Sequence, residues 1–192
     1  MLQKVQQESG IDPRSLVPNI RLFGGVDDAM LAKTLDALTA LGPDDPLVLE
    51  LTTPGGDADV GRRIALECRL AHEGGRETYF IGKTQVMSAG VTIMSGFPAD
   101  RRFVDSQCMI LIHERRLDKE VHFTGPLKSN VQMARELIAQ LENGIETQNR
   151  DFEELARGTK VTARDIEDHV AKTNWYLNAE QALEHGLIVG VL

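Results

Sequence analysis

The sequence predicts an α/β fold with one mainly parallel sheet. Short apolar runs that are typical of strands alternate along the chain with amphipathic segments that are typical of helices. Such alternation produces strand–helix–strand units with right-handed crossovers. Two predicted strands end at Gly-Gly turns, Gly24-Gly25 and Gly55-Gly56, that lead into helices. A length of 192 residues is sufficient for one domain with a sizeable core.

The strands are predicted from short apolar runs bounded by turn residues. In chain order they are residues 19–23, 47–51, 78–81, 102–104 and 108–112. The last apolar run, at 187–192, ends the domain. Because residues 1–18 are polar and weakly patterned, we expect a flexible N-terminal arm at 1–18 and a single domain at 19–192.

The helices are predicted from apolar periodicity and from capping residues. Asp27 is expected to cap the first helix. Capping-box patterns precede the last two helices, one formed by Thr162 with Asp165 and the other by Asn178 with Gln181. The predicted helices are residues 27–41, 57–72, a buried segment from 89, 126–156, 163–171 and 179–185.

The segment from Pro126 to about Ala156 predicts an unusually long amphipathic helix. At about 1.5 Å per residue it would span more than about 40 Å. We expect a helix of this length to bury part of its apolar stripe against another subunit. The preceding segment, 113–124, is charged and is expected to be extended.

Composition and charge exclude several classes of protein. The chain is 42% hydrophobic and 26% charged, with a net charge of −8, which argues against nucleic acid or an anionic membrane as a partner. It has no apolar run near the roughly 18 residues of a membrane span and no hydrophobic N-terminal signal. Cys68 and Cys108 are expected to be buried free thiols in the reducing cytoplasm. The spacing of the five histidines does not match that of metal ligands, and the sequence contains no phosphate-binding loop. We therefore expect neither a metal nor another cofactor.

The stretch from Thr84 to Gly96 is the first candidate for chemistry. It places Ser88 among small and apolar residues, where a buried strand is expected to lead into a buried helix. Free backbone N–H groups at such a junction can stabilise a developing anion. The alternative is a buried serine whose hydroxyl bonds to its own turn.

Two further segments supply the other parts of a serine hydrolase, which needs a nucleophile, a base and oxyanion donors. His113 ends a predicted strand, and ligands collect at the strand ends of parallel sheets. It is the candidate base, although it could equally be an exposed strand-end histidine. The turn Thr53-Pro54-Gly55-Gly56 offers unobstructed backbone N–H groups, although alone it is an ordinary strand-to-helix turn.

Taken together, these segments resemble the proteolytic subunit of the Clp protease family. The family has a Ser-Pro-Gly-Gly-like turn, a Gln-Ala-Ala-Ser-Met-Gly nucleophile segment and a Met-Ile-His-Gln segment. The matching segments here are TPGG at 53–56, QVMSAG at 85–90 and LIHE at 111–114. GGVDD at 24–28 and NWYLNAEQALEHGL at 174–187 resemble two further family motifs. The resemblance covers about residues 17–192.

The resemblance implies a crotonase-like α/β subunit with a protruding long-helix handle at about 114–158, assembled into stacked rings. It implies hydrolysis of peptides or unfolded proteins, with Ser88 as nucleophile and His113 as base. Asn174 takes the third triad position, and the backbone N–H groups of Gly56 and Ala89 bind the oxyanion.

Asn174 stands where the family usually has aspartate, so we expect weak or conditional activity. An amide can orient the imidazole but cannot stabilise the imidazolium with a full charge. The nearby acidic candidates are Asp168 and Glu114. Two other functions stay open: a catalytically impaired structural subunit that assembles with an active paralogue, and a crotonase-type enzyme acting on an acyl-thioester.

Two other departures concern partners and substrate. The positions that match the family's aromatic ATPase-docking pocket are approximately Val48, Glu50 and Glu73, and buried unpaired carboxylates are costly. Docking of a Clp-type ATPase is therefore doubtful. After His113, charged residues replace the family's glycines, which suggests a solvated face, contacts between rings or a different substrate groove. The charged residues are Arg115, Arg116, Asp118, Lys119 and Glu120.

Overall fold

The computed structural model describes residues 11–192, so residues 1–10 of the predicted arm lie outside the described part. Its centre is a seven-stranded sheet. The strands are β1 (Ile20–Phe23), β2 (Leu47–Thr53), β3 (Thr78–Met87), β4 (Arg102–Val104), β5 (Met109–Ile112), β6 (Trp175–Leu177) and β7 (Gly190–Val191). They run in the order β1-β2-β3-β4-β7, while β5 pairs with both β3 and β6. Only the β5–β6 pairing is antiparallel among the described strands, which confirms the predicted mainly parallel α/β fold.

Six α-helices follow the predicted order. They are α1 (Asp28–Ala40), α2 (Ala58–Glu73), α3 (Ala89–Ser95), α4 (Leu127–Ala156), α5 (Ala163–Val170) and α6 (Ala179–Glu184). The Asp27 side chain accepts a 2.9 Å hydrogen bond from the Met30 N–H and so caps α1. Both predicted capping boxes, before α5 and before α6, are formed.

Strand β3 is longer than predicted, because it continues past Ile81 to Met87. Its pairing partner changes along its length: Phe80 to Gly82 pair with β4, whereas Gln85 to Met87 pair with β5. The bend lies at Thr84, which has a φ of 60° and whose N–H donates to Asp105 at 2.8 Å. The second half of β3 ends immediately before Ser88.

Strand β6 was not predicted from the sequence. It has only three residues, and Trp175 pairs with Ile112 across the antiparallel ladder. This pairing brings the chain around residue 174 to the end of β5.

The main core lies between the sheet and its helices, and buried side chains such as Leu49, Phe80 and Ile93 form it. Cys68 and Cys108 are buried free thiols, as predicted, and burial raises the pKa of each to about 12. A smaller apolar cluster contains Val48, Tyr79, Ile81 and Phe103. The arm residues Ile11 and Leu16, together with Val189 and Leu192, pack against it.

The long helix α4 begins at Leu127, with Pro126 as its N-cap, and at about 1.5 Å per residue its 30 residues span about 45 Å. Its buried residues all lie in its last third: Gln148, Phe152 and Leu155. Earlier apolar side chains on α4, including Val131, Ile138, Leu141 and Ile145, are exposed. None of the helices in residues 11–192 is both long and apolar enough to span a membrane.

Candidate active site

Ser88 lies at the junction of β3 and α3 in a strained backbone conformation. Its φ is 55° and its ψ is −119°, outside the regions that a side-chain-bearing residue normally occupies. Two 2.9 Å hydrogen bonds hold this geometry: the Ser88 N–H donates to the Leu111 carbonyl, and the Ser88 carbonyl accepts from Val91. Within residues 11–192 its hydroxyl caps no turn, which contradicts the alternative of a serine bonded to its own turn.

The turn after β2 packs directly against Ser88. A Cβ placed on Gly55 would lie 2.6 Å from the Ser88 Cβ, and one on Gly56 would lie 2.4 Å from the Val26 carbonyl oxygen. Both glycines also have positive φ, 101° and 151°. Only glycine fits at these positions, because any side chain would collide with Ser88 or with the Val26 backbone.

Two backbone N–H groups, those of Gly56 and Ala89, belong to residues that line the same cavity as Ser88. The Val26 N–H and carbonyl bond to the Gly55 carbonyl and the Asp57 N–H, at 2.9 and 2.8 Å, and this bridge leaves the Gly56 N–H without an acceptor in the described chain. The Ala89 N–H opens α3 and has no intrahelical acceptor. Gly56, Ser88 and Ala89 line one cavity, so the two residues that carry these N–H groups border the same space as Ser88.

His113 follows β5 and lines the same cavity as Ser88. Its Nδ1 lies 2.5 Å from the Glu114 carbonyl oxygen. A carbonyl only accepts hydrogen bonds, so Nδ1 carries the proton and Nε2 is the basic nitrogen of the neutral ring. Within residues 11–192 no hydrogen bond joins His113 to Ser88. The structure therefore brings the two side chains into one cavity without linking them.

Asn174 is placed near His113 by the β5–β6 register but does not bond to it. Because Ile112 pairs with Trp175, the next residues at the end of the ladder are His113 and Asn174. The Asn174 Oδ1 instead accepts a hydrogen bond of 3.5 Å from Arg116, and Asn174 is not among the residues that line the Ser88 cavity.

Neither acidic candidate takes the place of Asn174. Glu114 contacts His113 through its backbone carbonyl. Asp168 lies on α5, where it forms an exposed ion pair of 3.9 Å with Arg164.

We call the cavity beside Ser88 the Ser88 cleft. It has a volume of about 600 Å³ and lies between the start of α2, the start of α3, the segment after β5 and the last third of α4. Its lining residues include Gly56, Asp59, Ser88, Ala89, His113, Arg115, Gln148, Asp151, Phe152 and Leu155.

The charged segment after His113 is anchored across this cleft. The Arg115 N–H donates to the Gln148 side-chain oxygen of α4 at 2.6 Å, and the Arg115 guanidinium bonds to Asp59 of α2 at 2.7 Å. Arg115 is therefore part of the cleft wall. The later residues of the segment, such as Asp118 to Glu120, are exposed, as expected of a solvated face.

Asp151 is a cleft residue that sequence reasoning missed. Burial raises its pKa to about 6, although Arg62 lies 3.0 Å away and favours the charged form. The sequence did contain a signal, because Asp151 stands at helical spacing from Leu155 and from Gln148, within the buried end of the α4 stripe.

Both the sequence and the fold of this chain match those of known proteins. Residues 15–192 match the family model described as Clp protease. The chain is 26% identical over 162 residues to ATP-dependent Clp protease proteolytic subunit 2 of Treponema pallidum (strain Nichols), covering 84% of this chain and 74% of that protein. It also matches the structure of an asparagine-to-aspartate mutant of ClpP1 from Listeria monocytogenes, with a TM-score of 0.74, 16% identity and 90% of each chain covered. The structural match confirms the predicted fold class.

Proposed function

The chain belongs to the Clp protease family of self-compartmentalising serine peptidases, and we propose that Ser88 is the nucleophile with which it hydrolyses peptide bonds. One observation carries this proposal. Ser88 is held at a φ of 55° at the β3–α3 junction, beside a glycine turn and in a cleft that it shares with His113. Strained backbone at a cleft is typical of functional residues.

His113 is the general base in this proposal. Its Nε2 takes the Ser88 hydroxyl proton as Oγ attacks the peptide carbonyl carbon, and the protonated ring then gives that proton to the leaving amine. In the second half of the reaction, His113 takes a proton from water as the water oxygen attacks the acyl carbon, and it then returns a proton to Ser88 Oγ as the ester bond breaks. The Glu114 carbonyl at 2.5 Å supports this assignment, because it fixes the tautomer in which Nε2 is unprotonated.

The backbone N–H groups of Gly56 and Ala89 form the oxyanion site. Both residues line the cavity that Ser88 lines, and neither N–H group is engaged elsewhere in the described chain. Donors that are fixed before the reaction stabilise the negative oxygen of the tetrahedral intermediate without reorganising.

Asn174 is the third member of the triad and acts by orienting His113. The β5–β6 register supports this role. Three rearrangements complete the site. Asn174 must release Arg116, the Nδ1–H of His113 must exchange the Glu114 carbonyl for Asn174, and His113 must approach Ser88. Assembly of subunits is the event we propose for this alignment, so that activity depends on the assembled state.

The substrates are peptides or unfolded polypeptides, and the subunits form rings, as is typical of the family. The exposed apolar side chains of α4 supply a surface for contact between subunits. We propose that a Clp-type ATPase does not dock by the usual aromatic pocket. Glu50 is ion-paired with Lys83 at 2.6 Å, and Val48 is buried in the smaller apolar cluster, against which Leu16 packs.

The cytoplasm is the compartment we propose, since two buried free thiols suit a reducing environment. The two alternative functions, a structural subunit and an acyl-thioester enzyme, are not favoured by the family match.

Fluorophosphonate labelling followed by intact-mass measurement tests Ser88. We expect one adduct per subunit in the wild type and none in Ser88→Ala. Ser129→Ala, which removes an exposed hydroxyl from α4, is the matched control and should label normally. Absence of any adduct on protein that native mass spectrometry shows to be assembled would refute Ser88 as an activated nucleophile.

A further inference from the structure

The Ser88 cleft contains an ionisable side chain that the proposed reaction does not use. We infer that Asp151 makes this cleft a subsite for a cationic side chain, so that the enzyme prefers substrates with lysine or arginine beside the scissile bond. The inference rests on the proposed role of Ser88, because it assigns the side chain that enters the cleft next to that hydroxyl.

Asp151 is positioned to meet a cation from the cleft. Its side chain is only 15% exposed, and it lines the same cavity as Ser88. Arg62 forms the 3.0 Å ion pair with it from a neighbouring groove, which Asp151 also lines, and Arg62 does not line the Ser88 cleft. The ion pair with Arg62 engages Oδ1, and Oδ2 accepts no hydrogen bond within residues 11–192, so this second oxygen is available for a charge-assisted hydrogen bond to a ligand.

The walls of the cleft suit the rest of a lysine or arginine side chain. Val91, Phe152 and Leu155 are buried apolar residues that line it. The methylene stems of lysine and arginine pack on apolar surface while the charged head seeks a polar partner. A cleft with apolar walls and a carboxylate in its lining therefore matches this side-chain chemistry.

The other charges of the cleft do not cancel the carboxylate. Its lining includes four carboxylates and two guanidinium groups, which leaves an excess of negative charge. The carboxylates are Asp57, Asp59, Glu114 and Asp151, and the guanidinium groups are Arg115 and Arg116. Of the two arginines, Arg115 bonds to Asp59 while its charge also favours ionisation of Asp151, and Arg116 bonds to Asn174.

The free-energy cost of keeping Asp151 ionised also supports a cationic ligand in the cleft. Burial raises its pKa to about 6 even with Arg62 beside it, so the negative charge at neutral pH is incompletely compensated by the protein. A carboxylate whose pKa is perturbed by burial in a cleft is a candidate functional residue. A bound cation supplies the missing compensation.

The competing explanation is that Asp151 only anchors Arg62 and has no role in binding. The two explanations differ in substrate preference. A structural ion pair does not distinguish a charged substrate from a neutral one of the same length.

The experiment compares two peptidyl phosphonate esters that acylate serine hydrolases and differ only in lysine or norleucine at the position beside the phosphorus. The full chain in its assembled form is labelled, and the rates of Ser88 modification are measured by intact mass. We expect the lysine probe to react at least about tenfold faster in the wild type, as befits a charged hydrogen bond. In Asp151→Asn this ratio should fall below about twofold.

Two matched variants complete the test. Asp151→Glu keeps the charge and should retain a preference for the lysine probe. Glu153→Gln removes a neighbouring exposed carboxylate of α4 that does not line the cleft, and it should keep the wild-type ratio. Thermal unfolding of each variant confirms that it is folded.

Each outcome is decisive. Equal rates for the two probes in the wild type overturn the inference, and so does a ratio that Asp151→Asn leaves unchanged. If plain fluorophosphonate labels Ser88 while lysine confers no advantage, the subsite is wrong and the proposed nucleophile stands. If fluorophosphonate labels nothing, the proposed function itself is refuted and this inference with it.

Discussion

Ile112 pairs with Trp175 in the antiparallel ladder of β5 and β6, and this single pairing directs two residues of the proposed triad to one place. The next residue after Ile112 is His113, and the residue before Trp175 is Asn174. Their side chains nevertheless bond elsewhere, to the Glu114 carbonyl and to Arg116 respectively. The ladder therefore brings the residues close, while the last step of alignment is left to the side chains.

Asn174→Asp should increase the rate of Ser88 acylation by at least about tenfold. A carboxylate stabilises the imidazolium that forms as His113 takes the serine proton, and in another serine protease the reverse change costs about 10⁴-fold. The rate of fluorophosphonate labelling and kcat/KM for a peptide substrate both report the effect.

The matched control is Asn178→Asp, which makes the same change four residues away. Asn178 caps α6, and aspartate caps helices equally well, so this variant should behave as the wild type does. An unchanged rate in Asn174→Asp would mean that His113 is oriented by the Glu114 carbonyl alone.

Gly55→Ala should abolish labelling of Ser88 and destabilise the fold. The added Cβ would lie 2.6 Å from the Ser88 Cβ at a backbone φ of 101°, so both steric overlap and left-handed strain oppose it. We expect a loss of about 2 kcal/mol or more in the free energy of unfolding, measured with denaturant.

Gly144→Ala provides the comparison for that loss. Gly144 lies within α4 with nothing within 4 Å of its Cβ position, and alanine in a helix interior is favoured over glycine by about 0.5–1 kcal/mol. This variant should be slightly more stable and should label normally. If Gly55→Ala were equally well tolerated, the close approach of the glycine turn to Ser88 would be disproved.

Local sequence signals predicted the parts of the fold that depend on local physics. The caps at Asp27, Thr162 and Asn178 were predicted because each of these side chains bonds to an N–H three residues later. Strand β3 was predicted to end at Ile81, which was wrong because Lys83 and Thr84 interrupt the apolar run while the ladder continues through β5. Strand β6 depends on pairing with a distant strand, and its three residues are too short a run to predict a strand, although Trp175 and Tyr176 favour that structure.

The residues of the candidate site likewise include some that the sequence identified and others that only the packing reveals. Ser88, His113 and the glycine turn were found from the residue types and from the family motifs, and the structure places them around one cleft. Asp151 was not found, because its importance arises from the packing of α4 against α2 and α3. The hydrogen bond from Arg116 to Asn174 was likewise invisible, since it joins residues 58 positions apart.

The raised pKa of Asp151 predicts how stability depends on pH. Burial raises this pKa from 3.8 to about 6, so the folded state holds a proton that the unfolded state has already released between about pH 4 and 6. The contribution of Asp151 to stability is therefore largest below pH 4 and is lost as the pH rises through 6. The charged groups that act on it are Arg62 and Arg115, which favour ionisation, and Asp59 and Glu154, which oppose it.

Asp151→Asn should consequently be more stable than the wild type at pH 8, by up to about 3 kcal/mol. The difference should shrink towards pH 4, where the wild-type carboxyl is protonated in the folded state and only about half ionised in the unfolded state. Denaturation curves at the two pH values measure it. A variant that is less stable than the wild type at pH 8 would show instead that the ion pair with Arg62 stabilises the fold.

The exposed stripe of α4 should hold subunits together, because a free apolar surface of this kind is buried in most stable assemblies. Ile138 and Ile145 are 54% and 57% exposed in the isolated chain. Changing both to glutamate places two charges in the contact, while the subunit fold is unaffected because neither side chain is part of its core. We expect native mass spectrometry to show smaller assemblies, with weaker labelling of Ser88 if alignment depends on assembly.

Asn143→Glu adds one charge at an exposed position of the same helix and should leave assembly intact. Wild-type assembly by the double variant would exclude this stripe from the interface. The edge strand β1, where Phe23 is 78% exposed, would then be the next candidate for the contact between subunits.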